Sequence, residues 1–175
     1  MKLNNLFVMG AAALAMTSGA AFAAGLDDVA SAQAIWAGTV GSSLPSSNLI
    51  ITGVNGGLIE KGNLYIAADG TFTSSTLILE ARDYNPETGL AGDKQPLASW
   101  SYLNSEFRID GQVTDLADIT LTNGSTELIE GQVDKFTGGV VQLSVSNNKV
   151  LSEDINVSGI AELQVLMTAS YEEVL

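Results

Sequence analysis

The chain contains neither cysteine nor histidine among its 175 residues. Without cysteine no disulfide can staple the fold, so packing and hydrogen bonding alone must hold it. The same two absences exclude a Ser-His-Asp triad, a cysteine nucleophile and a zinc site built from Cys or His ligands. Carboxylate chemistry, Ser-Lys chemistry and calcium binding stay open. Cations are scarce, with 7 Lys and Arg against 20 Asp and Glu and a formal net charge of −13. Such a surface repels a phosphate backbone, and no basic patch offsets it, so nucleic acid is not expected as a partner. The acidity itself speaks for solubility rather than for a function.

The start of the chain reads as an export signal. Lys2 precedes an apolar or small run from Leu6 to Met16, which Thr17, Ser18 and Gly19 interrupt. Ala21-Phe22-Ala23 fits the small-x-small pattern of a signal peptidase site. The run is too short to cross a hydrocarbon core of roughly 30 Å as a helix. Residues 1–23 are therefore predicted to be a cleaved secretory signal, with the mature chain starting near Ala24. That mature chain has the length of one domain with a sizeable core. No other stretch approaches membrane-spanning length, and no repeat or second-domain boundary stands out.

What is present is strand-forming sequence. Thr, Val, Ile, Leu and aromatic residues alternate in short runs separated by Gly, Asn, Asp and Pro. The predicted strands cover residues 33–40, 48–54, 58–67, 71–82, 98–109, 119–122, 127–133, 140–146, 150–157 and 160–171. Asp69-Gly70 and Asn123-Gly124 are turn signals between them. Residues 83–96 hold two of the 3 prolines and are predicted to be an exposed loop. No mature segment sustains helical spacing; the Ala-rich stretch 26–36 allows at most a helical turn. The fold class is therefore all-β, an antiparallel sandwich or barrel.

The last strand is the most informative segment. Gly159, Ala161, Leu163, Val165, Met167, Ala169 and Tyr171 all share one parity, so one face is apolar for roughly 40 Å at about 3.3 Å per residue. By pattern alone this describes a long sandwich-core strand. Two motifs carry a resemblance beyond that. Gly159 stands twelve positions before Tyr171 in this alternating run, and Trp36-Ala37-Gly38-Thr39-Val40 has the form aromatic-x-Gly-x-Val. Together they resemble the last and first strands of chaperone–usher fimbrial subunits, the pilins, of the disulfide-free type. The chain departs from the pattern at its end, where Glu172-Glu173-Val174-Leu175 follow the tyrosine, and after Val40, where Gly41-Ser42-Ser43 stand in place of a cysteine.

The resemblance implies an immunoglobulin-like β-sandwich over residues 35–175 that lacks its final strand. It leaves an apolar groove beside the last strand, lined by Gly159, Ala161, Leu163, Val165, Met167, Ala169 and Tyr171. Residues 24–34 would be an N-terminal extension acting as donor strand for the next subunit, with Leu26, Ala30, Ala32 and Ala34 facing inward. Trp36, Gly38 and Val40 would mark the first strand. The implied partners are like subunits, a periplasmic chaperone, an outer-membrane usher and a host-surface receptor, with the product exported through the periplasm to a cell-surface fimbria. No cofactor, metal or enzymatic activity is implied.

Other residues suggest other chemistry. Asp83, Asn85, Glu87 and Asp93 supply oxygen ligands of the kind calcium takes, but without EF-hand spacing. Glu127 and Glu130 have opposite parity on one predicted strand, which does not suit a carboxylate pair for glycoside hydrolysis. Trp100, Tyr102 and Phe107 suggest either a sugar-stacking platform or core packing. The competing expectations are thus an exported monomeric β-sandwich that binds carbohydrate or a surface ligand, and a calcium-stabilised surface or matrix protein.

Overall fold

Alternating sequence produces strands, and strands are the dominant element among the described residues. The computed structural model describes residues 27–37, 41–134, 136–151 and 160–172. In chain order the strands are β1 (Asp27–Trp36), β2 (Ser42–Leu44), β3 (Leu49–Thr52), β4 (Leu64–Ile66), β5 (Phe72–Ser74), β6 (Leu77–Asn85), β7 (Leu90–Lys94), β8 (Ser99–Ile109), β9 (Gln112–Thr114), β10 (Ile119–Asn123), β11 (Thr126–Leu128), β12 (Phe136–Thr137), β13 (Val140–Asn147) and β14 (Ala161–Glu172). One 3₁₀ turn, Val54–Gly56, interrupts them.

The strands form two antiparallel sheets. The first runs β12-β8-β14-β1-β2, with β9 also on β8; the second is built on β11-β10-β13-β5-β4, and β6 joins β13 to β3 and β7. Their inner faces share one apolar core. Ala30, Ala32, Ala34, Trp36, Trp100, Phe107, Leu163, Val165, Met167 and Ala169 of the first sheet meet Leu49, Ile51, Phe72, Leu79, Leu121, Val141, Leu143 and Val145 of the second. The Phe72 and Phe107 rings, one from each sheet, lie 5.0 Å apart at 34°. The expected all-β antiparallel sandwich is the architecture observed.

Several local expectations shift. The Ala-rich stretch before Trp36 is strand, not helix, because its even side chains are needed in the core. β1 therefore runs unbroken across the predicted boundary between residues 34 and 35. Residues 83–96 are not a simple loop: β6 continues to Asn85 and β7 pairs back on it, with Asn85 Oδ1 accepting from the amides of Glu87 and Thr88. The predicted strand 127–133 ends at Leu128. The predicted strand 71–82 breaks at residues 75–76. In the β10–β11 hairpin the turn takes Gly124 and Ser125, with Gly124 at the first central position and φ 58°, which glycine adopts at little cost.

Two polar features lock the frame. Asn147 is fully buried; its Oδ1 accepts from the amides of Asp118 and Lys149, and its Nδ2 donates to the carbonyls of Gly70 and Lys149. Glu80 is 2% exposed on the outer side of β6, 2.8 Å from both Arg82 and Lys94. Burial pushes the Glu80 carboxyl up, but hydrogen bonds from Lys94 and Arg82, with their charges, outweigh it and hold the group below its ordinary 4.5.

A carboxyl held down in the folded state is protonated first in the unfolded one as pH falls. The Glu80 contribution is therefore present above about pH 4.5 and lost as pH drops through the lower folded value. Glu80→Gln is expected to lower stability at pH 7 by about 1–3 kcal/mol and to flatten the loss of melting temperature on acidification. A variant with the parent's full acid sensitivity would contradict this.

Candidate functional site: the seam between the first and last strands

β1 and β14 are the first and last described strands, and they lie side by side. They pair through ten consecutive residues, from Asp27 opposite Glu172 to Trp36 opposite Leu163. Because side chains alternate, one parity of each strand faces inward. Ala30 sits opposite Ala169, Ala32 opposite Met167, Ala34 opposite Val165 and Trp36 opposite Leu163, and all eight are buried. Ala161 and Tyr171 are half-buried against the same core. The outer parity is mixed: Ile35 is buried and Val29 exposed, while Gln33 donates to Gln164, whose own amide donates to Glu162 at 2.8 Å.

Trp36 anchors the end of β1. Its Nε1 donates to the Ser75 carbonyl at 2.8 Å. Its indole lies on Gly62, where an added Cβ would stand 2.2 Å from Trp36 Cδ1. The chain then leaves the strand through Ala37 at φ 58°, whose amide donates to the Gly62 carbonyl at 3.0 Å. On its other edge β1 pairs with β2 at Ser31, Ala32 and Gln33. The result is a slot with hydrogen-bonding edges on both sides, occupied by β1 of the same chain.

This arrangement corrects the expectation of an open groove. The described chain does not lack a strand beside β14: β8 pairs along one edge and β1 along the other. The physical reason is burial, because Ala30, Ala32, Ala34 and Trp36 of β1 fill the core of their own domain opposite β14. Of the residues singled out from sequence, Ala161, Leu163, Val165, Met167, Ala169, Tyr171, Ala30, Ala32, Ala34 and Trp36 come together here. Leu26, Gly38, Val40 and Gly159 lie outside the described residues, as does the predicted signal 1–23.

The aromatic set has a different fate. β8 carries a bulge in which Leu103 is extra: Asn104 pairs with Leu166 and Tyr102 with Met167. The bulge reverses the parity of the strand, so Trp100 and Tyr102 before it and Phe107 after it all face the core. They form no exposed platform. At the bulge a carboxylate replaces a neighbouring strand: Glu130 Oε2 accepts from the amide and hydroxyl of Ser105 and from the Tyr102 hydroxyl, each at 3.2 Å. Burial, opposed by the Ser105 hydrogen bond and reinforced by the Glu130 charge, pushes the Tyr102 phenol up to about 12. Glu127 stays on β11 while Glu130 lies in loop 129–134. Among the described residues no three His, Cys, Asp or Glu side chains gather in a group able to hold a metal, the 83–93 set included.

No protein-family model matches the chain, and no curated protein or solved structure matches it significantly.

The seam makes an asymmetric demand on its two faces. Met167→Ala is expected to cost about 2–5 kcal/mol in equilibrium denaturation. Val29→Ala, on a side chain 51% exposed, should change stability by less than about 0.5 kcal/mol. Equal effects would contradict the parity.

Proposed function

We propose that the chain is a structural subunit of a surface fimbria, polymerising by exchange of β1 between copies and so supporting cell adhesion. The observation that supports this reading is the seam. β1 lies at the start of the described chain, joins the rest through residues 37–41, and fits beside the last strand through ten residue pairs. Small side chains at Ala30, Ala32 and Ala34 let it slide between β14 and β2 without keying into deep pockets. A neighbour's β1 can enter the same slot with every contact kept, as in a domain swap, and a head-to-tail contact of this kind builds an open fibre. Backbone pairing supplies affinity and the alternate side chains supply register.

A slot left empty would expose the edge of β14 and its row of apolar side chains, which is an aggregation hazard. The reading therefore calls for a periplasmic chaperone to cover the slot, an outer-membrane usher to order the exchange, and export to the cell surface. A host-surface receptor belongs to the same reading. One observation favours a second reading: β1 already fills its own slot, so the single chain is a finished sandwich able to act as an exported monomeric binding module.

Cysteine separates the two, because the chain has none of its own. Val29 and Ser170 are cross-strand partners in the seam. The Val29→Cys/Ser170→Cys double variant, oxidised at assembling concentration, should give a ladder of covalent multimers on a denaturing gel. A single monomeric band without free thiol would overturn the fimbrial reading in favour of the monomer.

A further inference from the structure

Two Asn-Gly pairs occur in the chain, Asn55-Gly56 and Asn123-Gly124. With no Cβ in the way, the glycine amide nitrogen of such a pair can approach the carboxamide carbon of the asparagine. The fold treats the two pairs differently. The Gly124 amide donates to the Gln142 carbonyl at 2.9 Å, and Asn123 Oδ1 accepts from the Gln142 amide at 2.8 Å. Nucleophile and carboxamide are both held against β13, and both must let go before they can meet.

Asn55 has neither restraint. It is exposed, and its carboxamide has no hydrogen-bond partner among the described residues. The Gly56 amide reaches only Glu80 Oε2, at 3.4 Å, longer than an ordinary N–H···O bond. Asn55 (φ 56°, ψ 35°) and Gly56 (φ 76°) are both left-handed, as in a type I′ turn, and the Gly57 amide closes that turn on the Val54 carbonyl at 3.1 Å. Flipping the single peptide plane between Asn55 and Gly56 gives a type II′ turn with its ends in place. The flip swings the Gly56 nitrogen to the side-chain side of Asn55, where a five-membered ring can close. A residue with a side chain is strained in the flipped turn, so that state is visited rather than held.

We propose that Asn55 is a site of spontaneous deamidation in the folded protein and that Asn123 is protected from it. The Gly56 nitrogen gives its proton to solvent and attacks Asn55 Cγ, forming an N–Cγ bond. The Cγ–Nδ2 bond breaks, and ammonia leaves with a proton from solvent. Water then opens the resulting succinimide. Opening at Cγ leaves aspartate; opening at the backbone carbonyl leaves isoaspartate, with the chain routed through Cβ. Either product adds one negative charge to the turn that follows β3. The reaction does not use the β1–β14 exchange, so it stands or falls separately from the fimbrial reading.

The test is to age the full chain in mildly alkaline buffer made with heavy-oxygen water and to map its peptides by mass spectrometry. Asn55 should convert about tenfold faster than Asn123, because Asn123 must first give up its bonds to β13. Each converted residue should carry one heavy oxygen, and isoaspartate should accompany aspartate. In denaturant the two sites should react at similar rates. Asn55→Gln should remove the first acidic species to appear on ion-exchange chromatography. Equal rates in the folded chain overturn the proposal, as does an Asn55 that persists there while both sites react in denaturant. A rate gap that survives in denaturant, or conversion without heavy oxygen, overturns it as well.

Discussion

The pairing of β1 with β14 is the constraint on which the rest of the sandwich depends. β14 is the middle of its sheet and contributes the row Leu163, Val165, Met167 and Ala169 to the core. A strand in that position needs a neighbour on each edge. β8 supplies one, and β1 supplies the other over ten residues. A ladder of that length contributes hydrogen bonds each worth about 1 kcal/mol net, and it covers the apolar row as it does so. With β1 withdrawn, the edge of β14 and the inner side of β2 would both open to water. The first strand thus completes the fold while being connected to it only through residues 37–41.

The other sheet edges are guarded by different means. β2 is only three residues long, which limits its use as a template for foreign strands. The outer edge of β8 is covered in sections: β12 at Ser99 and Trp100, loop 129–134 across the bulge, and β9 from Phe107 onward. At the bulge the Glu130 carboxylate does what a strand carbonyl would do for the Ser105 amide. These devices cover the two outer edges of the first sheet among the described residues.

Much of this was legible in the sequence because strand parity is a strong constraint. The odd positions from Leu163 to Ala169 are inward as their alternation requires, and so are Ala30, Ala32 and Ala34, despite the high helix propensity of alanine. Tertiary burial outweighed local preference there. Other features were hidden for identifiable reasons. A bulge leaves no periodic signature, so Phe107 could not be placed on the same face as Trp100 and Tyr102 from spacing alone. The proline-bearing stretch after Asp83 carries turn residues, yet its pairing partners are local enough to extend the β6–β7 hairpin. The roles of Glu80 and Glu130 depend on side chains that arrive from other strands. Alternation shows which face is buried, but it cannot say whose strand fills the neighbouring slot, and that question separates a closed monomer from a fibre.

If β1 is a separable part, it can complete the domain from outside as well as from within. The most direct measurement is the thermal unfolding of a chain beginning at Ala37, recorded with and without a peptide spanning residues 27–36. The expected result is a poorly stable domain whose melting temperature climbs with peptide concentration, as binding to the native state alone requires. A truncated chain that melts like the complete one, unmoved by the peptide, would contradict the separability of β1.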